Sequence, residues 1–219
     1  MKWTEDILNF LFPPHCPICG AYVEKRGDWC EPCLKKTMEV HRLPLDPAMS
    51  RVIAGAWALG YYRGGLRDLL RDLKYRKRMQ ALPCLKTFQH AAEPALSMFL
   101  EQKPLAVPVP LHADREKQRG FNQAELIFRE WLEEHGIPME RLLVRCRETK
   151  PQYGLGAKER RENLKGAFAV KPDVSVEGID ILLVDDIFTT GATLYECAKI
   201  LRENGAGKIY AMAMASDHR

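Results

Sequence analysis

Ile181-Leu182-Leu183-Val184-Asp185-Asp186-Ile187-Phe188-Thr189-Thr190-Gly191-Ala192-Thr193 is the stretch on which the reading of this chain turns. Its first four residues form a near-continuous apolar run, as expected of a strand buried on both faces of a parallel sheet. Two acids follow at the strand's carboxyl end, the place where open α/β sheets bind ligands. The turn from Thr189 through Thr190, Gly191 and Ala192 to Thr193 offers hydroxyls, a glycine for close backbone approach, and the amides of a helix N-terminus. Such a cradle holds a phosphate monoester. Asp185 and Asp186 are then expected to accept hydrogen bonds from the vicinal hydroxyls of the sugar carrying that phosphate, which points to a ribose 5-phosphate. An apolar strand ending in two acids also occurs as the magnesium strand of P-loop NTPases, but that reading requires Gly-x4-Gly-Lys-Ser/Thr upstream. The chain has no such motif, and Gly207-Lys208 is followed by Ile209 on the wrong side.

Outward from this stretch the pattern alternates between strands and amphipathic helices. Downstream, Leu194, Cys197, Ala198 and Leu201 line one helix face, Gly205 closes the helix, and Ile209 to Met214 reads as a strand. Strand, loop, helix, strand is a right-handed crossover, so the sheet is expected to be largely parallel. Upstream, Val52 to Tyr62 reads as a strand, and Leu66, Leu69, Leu70 and Leu73 repeat at helical spacing. The prolines of Ala106-Val107-Pro108-Val109-Pro110 force an extended run. Leu111 to Gly120 then reads as a polar loop. Asn122 caps the next helix with Glu125 at the capping-box position. Leu142 to Val144 and Ala167 to Val170 look like two further strands. The Arg145 to Gly166 segment between them lacks an apolar period, as functional lids do.

The front of the chain differs. Cys16-x2-Cys19 and Cys30-x2-Cys33 stand ten residues apart, two knuckles whose four thiolates form a closed structural zinc set. A pair of disulfides or redox CxxC motifs is the competing reading, disfavoured where no secretory signal is present. His15 and His41 lie nearby as supporting groups, since four cysteines already complete the shell. So short a segment buries little core, and zinc ligation, worth on the order of 10–16 kcal/mol in comparable peptides, can hold it folded. The expected division is a zinc module over 1–45 and an α/β domain over 46–219. Cys84, Cys146 and Cys197 have no partner spacing and read as ordinary thiols.

A chain of 219 residues with 46% apolar content is long enough for one full core. No apolar stretch reaches the roughly 20 residues of a membrane span, so a cytoplasmic protein without membrane insertion is expected. The net charge of +4 is modest, but the basic residues cluster. Arg63, Arg67 and Arg71 lie four apart on one stripe, followed by Lys74, Tyr75 and Arg76. Basic grooves with interleaved aromatics bind single-stranded DNA, whereas charge runs in general are solvated faces; both readings stand at this point. A second basic cluster, which includes Arg145, Arg147, Arg160 and Arg161, falls in the lid segment.

Residues 181–193 resemble the signature of type I phosphoribosyltransferases over thirteen positions. More of the chain resembles the ComF family of competence and DNA-uptake proteins. The resemblance is carried by the four-cysteine knuckle, by Val109-Pro110-Leu111-His112 with Arg115 and Arg119-Gly120-Phe121-Asn122-Gln123-Ala124, and by Leu73-Lys74-Tyr75-Arg76 with Gln152, Leu155, Arg161, Asn163 and Phe168. It implies an α/β, type I phosphoribosyltransferase-like fold with a largely parallel sheet flanked by helices and a small zinc-ribbon-like N-terminal module. It also implies phosphoribosyl diphosphate bound with Mg2+, the diphosphate by His112, Arg115, Arg119 and Gly120, and a lid carrying Gln152, Arg161 and Asn163. Mg2+ bridges diphosphate and ribose hydroxyls in transferases of this type, and no covalent nucleophile is needed. Transferases of 6-oxopurines carry an Asp where this chain has Thr189, which argues against such an acceptor. Two functional readings follow: an accessory protein that handles single-stranded DNA in natural transformation beside a ComFA-like helicase, or an active transferase with another acceptor.

Overall fold

The computed structural model of the protein describes residues 9–149 and 156–218. Gln152, expected in the lid, lies outside the described residues. The elements run α1 (Glu31–Thr37), β1 (Met38–Arg42), β2 (Gly55–Tyr61), α2 (Gly64–Arg76), α3 (Ala81–Ala92), α4 (Ser97–Gln102) and β3 (Leu105–Pro108). They continue with α5 (Ala113–Arg119), α6 (Gln123–Glu134), β4 (Leu143–Arg145), α7 (Ala157–Leu164), β5 (Phe168–Val170), β6 (Ile181–Phe188), α8 (Ala192–Glu203) and β7 (Ile209–Ser216).

The main sheet has the order β1-β2-β7-β6-β3, with β4 and β5 forming a separate two-stranded ribbon. Pairings β2–β7, β7–β6 and β6–β3 are parallel, and only β1 runs antiparallel at the edge. The largely parallel α/β sheet flanked by helices is therefore the fold observed. β6 takes a central place because its apolar run is buried on both faces, and successive side chains point to opposite sides. Ile181 and Leu183 pack with Leu194, Cys197, Ala198 and Leu201 of α8. Leu182 and Val184 pack on the other side with Phe88, Phe128 and Trp131 of α3 and α6. Each of those three aromatic side chains is fully buried, worth roughly 1.5–3 kcal/mol apiece or more. Among the described residues no helix is long and apolar enough to cross a membrane.

The N-terminal knuckle is docked on this body. Trp29 is buried, its Nε1 donates to the Cys84 carbonyl at 2.8 Å, and its ring lies 5.2 Å from Phe88. A Cβ at Gly65 would fall 1.4 Å from Ile18 Cδ1, so the Ile18 side chain of the knuckle packs directly on the α2 backbone. β1 then joins the main sheet as its edge strand, tying the front of the chain to the α/β body.

Three local expectations are corrected. The Leu111 to Gly120 segment contains helix α5 rather than an open loop. It carries Asp114 and Glu116 in its first turn and Lys117 and Arg119 in its last, which complements the helix dipole, and it ends on Gly120 at φ 92. The expected lid contains the helix α7. No period betrays it, because the described side chains of the helix are polar except for the buried Leu164. The strand expected from Val52 begins at Gly55, because Asp46 Oδ1 accepts from the amides of Ala48 and Met49 at 2.9 Å each and starts a short 3-10 turn there.

Candidate functional site

Asp185 and Asp186 stand at the carboxyl end of β6, and the turn behind them borders a small open hollow lined by Asp185 and residues 187–194. Gly191 caps α8 in the left-handed region at φ 71. A Cβ there would lie 2.4 Å from Met49 Cε and 2.7 Å from the Phe188 ring, so both the backbone angle and the space demand glycine. The N-terminus of α8 presents the positive end of its helix dipole to the turn. The sequence-based cradle at Thr189, Thr190, Gly191, Ala192 and Thr193 is thus one concave feature.

The alternation of β6 separates the two acids. Asp185 shares the face of Leu183 and Cys197, and Asp186 shares that of Val184 and looks toward α2. Lys74 Nζ lies 3.3 Å from Asp186 Oδ2, with side-chain exposures of 27% and 14%. Asp185 Oδ1 accepts from the Asp186 amide at 2.8 Å. Burial and the neighbouring Asp186 charge push the Asp185 carboxyl well above the usual carboxylate range. Asp186 and burial act in opposite senses on Lys74, and the carboxylate prevails, holding the ammonium above its usual value.

Basic side chains approach the turn and Asp185. His112 caps α5 and forms a parallel bridge to Arg145. Arg115 donates to the Thr149 carbonyl at 3.1 Å, while Arg145 bonds the Thr149 hydroxyl. Burial, reinforced by the nearby Arg115 charge, lowers the Arg145 pKa. Arg160 of α7 donates to Thr189 Oγ1 at 3.1 Å. Two guanidinium nitrogens here, Arg145 Nε and Arg160 Nε, are buried without a hydrogen-bond partner, while His112 Nδ1 lies 3.5 Å from Asp114 Oδ2. Buried donors are almost always satisfied, so two orphan guanidinium nitrogens beside Thr189 and Asp185 mark where an acceptor belongs.

The other expected residues are placed as follows. Arg119 bonds Gln123 Oε1 at 3.4 Å, beside the Gly120 cap. Arg161 is paired with Asp46 and stands over the Tyr195 ring at 5.9 Å, so it anchors α7 to the body. The Asn163 carbonyl accepts from Arg147 at 2.9 Å, which ties the end of α7 to the β4–β5 ribbon. Arg145 and Arg160 stood out in the sequence only as members of a basic run. His218, whose Nε2 meets the Thr189 carbonyl, carried no sequence signal.

The basic stripe is only partly as expected. Arg63, Arg67 and Arg71 are exposed, and Tyr75 is 69% exposed. The Arg63 guanidinium lies over the Tyr61 ring at 4.7 Å, and Arg67 pairs with Asp68 at 3.0 Å. Arg76 is held by Asp72 at 2.8 Å. Lys74, grouped with the stripe by spacing, instead turns into the site.

At the front, the sulfurs of Cys16, Cys19, Cys30 and Cys33 all lie within 4.8 Å of one another. Burial raises the Cys16 thiol, but the amides of Cys19, Cys30 and Ile18 outweigh it and bring the pKa down to about 6. Burial and the neighbouring thiols push Cys33 up to about 12. Four thiolates so close are stable together only around a cation, and the set fits tetrahedral zinc. His41 stays apart, stacked on Tyr61 at 4.4 Å.

Comparison with known proteins places these features. Residues 7–44 match the double zinc ribbon domain. Competence protein F of Haemophilus influenzae is 30% identical over 211 residues, covering 92% of this chain and 84% of that protein. The DNA utilization protein YhgH of Escherichia coli is 31% identical over 202 residues, 89% of this chain and 80% of that one. Competence protein ComFC of Bacillus subtilis is 30% identical over 193 residues, 87% and 72% of the two chains. Among solved structures, adenine phosphoribosyltransferase from Leishmania tarentolae overlaps with a TM-score of 0.38 at 13% identity, over 81% of this chain and 95% of that one. An overlap that low carries no weight for activity.

Proposed function

The chain belongs to the ComF family of competence and DNA utilization proteins, and from that premise we propose that it acts in the uptake of single-stranded DNA while binding phosphoribosyl diphosphate with Mg2+ at the Asp185–Thr193 site. The observation that carries the ligand reading is the pair of buried guanidinium nitrogens without a hydrogen-bond partner, Arg145 Nε and Arg160 Nε, beside the Thr189–Thr193 turn and the two carboxylates. A ligand that satisfies both must be anionic at its ends and rich in hydroxyls between them. Phosphoribosyl diphosphate has that distribution. The 189–193 turn receives the 5-phosphate through helix amides. Asp185 and Asp186 accept from the ribose hydroxyls, and Arg115 and Arg145 meet the diphosphate with positioned positive charge beside His112. Mg2+, when bound with the ligand, supplies charge neutralisation between diphosphate and sugar; carboxylate oxygens and a water-accessible hollow suit it.

The DNA reading rests on the exposed Arg63, Arg67 and Arg71 with Tyr75 beside them, a charged track with a stacking face. A ComFA-like helicase is the partner expected from family membership. Calorimetric titration of phosphoribosyl diphosphate with Mg2+ tests the ligand reading. Saturable binding that disappears in the Asp185→Asn, Asp186→Asn double variant supports it, and no heat in the wild-type protein overturns it.

A further inference from the structure

Lys74 belongs by spacing to the basic run of α2, yet its side chain leaves that face and meets Asp186 at 3.3 Å. Among the described residues it is the one cation in ion-pair contact with either carboxylate of the site. Its placement is built into the fold. The buried Gln123 donates to the Leu70 carbonyl at 3.1 Å, and Lys77 donates to the Gln118 carbonyl at 3.0 Å. Both bonds fasten the C-terminal half of α2 to α5 and α6, so the ammonium is delivered to Asp186 from a fixed helix.

Two adjacent carboxylates at a strand end attract any free divalent cation, because attraction scales with the product of the charges. A tethered ammonium offsets the negative charge of the pair without filling the hollow. We infer that Lys74 is a built-in counter-ion that keeps free divalent cations off the Asp185–Asp186 pair, so that Mg2+ enters only in complex with a polyanionic ligand. The second clause rests on the sugar diphosphate reading above; the exclusion of free cations does not.

The probe is Mn2+, which favours oxygen ligands over the thiolates of the zinc knuckle, with free ion read by electron paramagnetic resonance on the full zinc-loaded chain. Lys74→Met is expected to bind Mn2+ at least about tenfold more tightly than wild type. That gain is expected to vanish when Asp186→Asn is added, and Lys74→Arg is expected to behave as wild type. Equal Mn2+ affinity in wild type and Lys74→Met, or a gain that survives Asp186→Asn, overturns the inference. A melting curve checks that Lys74→Met is folded; where it is not, Lys74→Gln gives the same readout. Adding phosphoribosyl diphosphate is expected to recruit Mn2+ to the wild-type protein. Failure of that step with success of the first counts against the sugar diphosphate reading and leaves the counter-ion role standing.

Discussion

Arg160 on α7 donates to Thr189 Oγ1 at 3.1 Å across 29 residues of chain, and through that bond a helix of the expected lid touches the phosphate turn. Its Nε remains buried without a partner, so the guanidinium has capacity for a second acceptor in the hollow. Arg161, its neighbour, is spent on Asp46 and anchors the same helix. Arg160→Ala is therefore expected to weaken phosphoribosyl diphosphate binding by about tenfold, the worth of one charge-assisted hydrogen bond. Arg161→Ala is expected to affect binding less and the melting temperature more. Calorimetry and thermal melts of the two variants, side by side, check the division of roles.

Asp185 carries a stability cost at neutral pH. Its carboxyl is held well above the usual range by burial and by Asp186, so at pH values between the unfolded and the folded pKa the folded chain keeps a proton that the unfolded chain has lost. Stability from this group accordingly falls as pH rises from the unfolded value through the raised one. Asp185→Asn is expected to raise the melting temperature near neutral pH and flatten the pH slope, while abolishing ligand binding. A variant that melts lower than wild type at neutral pH contradicts this account.

Gly191 holds the turn by geometry. Gly191→Ala forces a Cβ against Met49 and Phe188 at a φ that side chains disfavour. The expected cost is about 1–3 kcal/mol of stability, read from denaturant midpoints, with loss of ligand affinity.

The zinc knuckle is expected to report through Trp29. Chelation releases the four thiolates, and Trp29, bonded to the Cys84 carbonyl and packed on Phe88, is expected to shift its emission to the red. Because Cys33 is pushed up to about 12, zinc must displace its proton, so apparent zinc affinity falls as pH falls. Competition with a metallochromic dye at several pH values measures it.

Arg67 and Arg71 are exposed on α2, away from the Lys74–Asp186 contact. The double change to Ala is expected to weaken single-stranded DNA binding and lower its salt slope by roughly 1.4, at about 0.7 per lost phosphate contact. Ligand binding at the acid pair is expected to stay as in wild type. Fluorescence anisotropy over a salt series reads the first outcome, and an unchanged slope removes the stripe as a binding surface.

The sequence by itself determined whatever depends on neighbours along the chain. The apolar run Ile181 to Val184, the acids behind it, the Thr189–Thr193 turn and the Asn122 cap all rest on short-range periodicity and turn chemistry. The two CxxC spacings likewise suffice for a tetrahedral thiolate set. The tertiary structure decided which charges face one another. Lys74 meets Asp186 across 112 residues, and Arg160 and His218 reach Thr189 from distant elements. No local pattern encodes those meetings, because they follow from how α2, α7 and the chain's end cross the carboxyl edge of β6. Lys74 looked like one more surface charge for the same reason: helical spacing says which residues share a stripe, while the packing of the helix on the sheet decides which stripe turns inward.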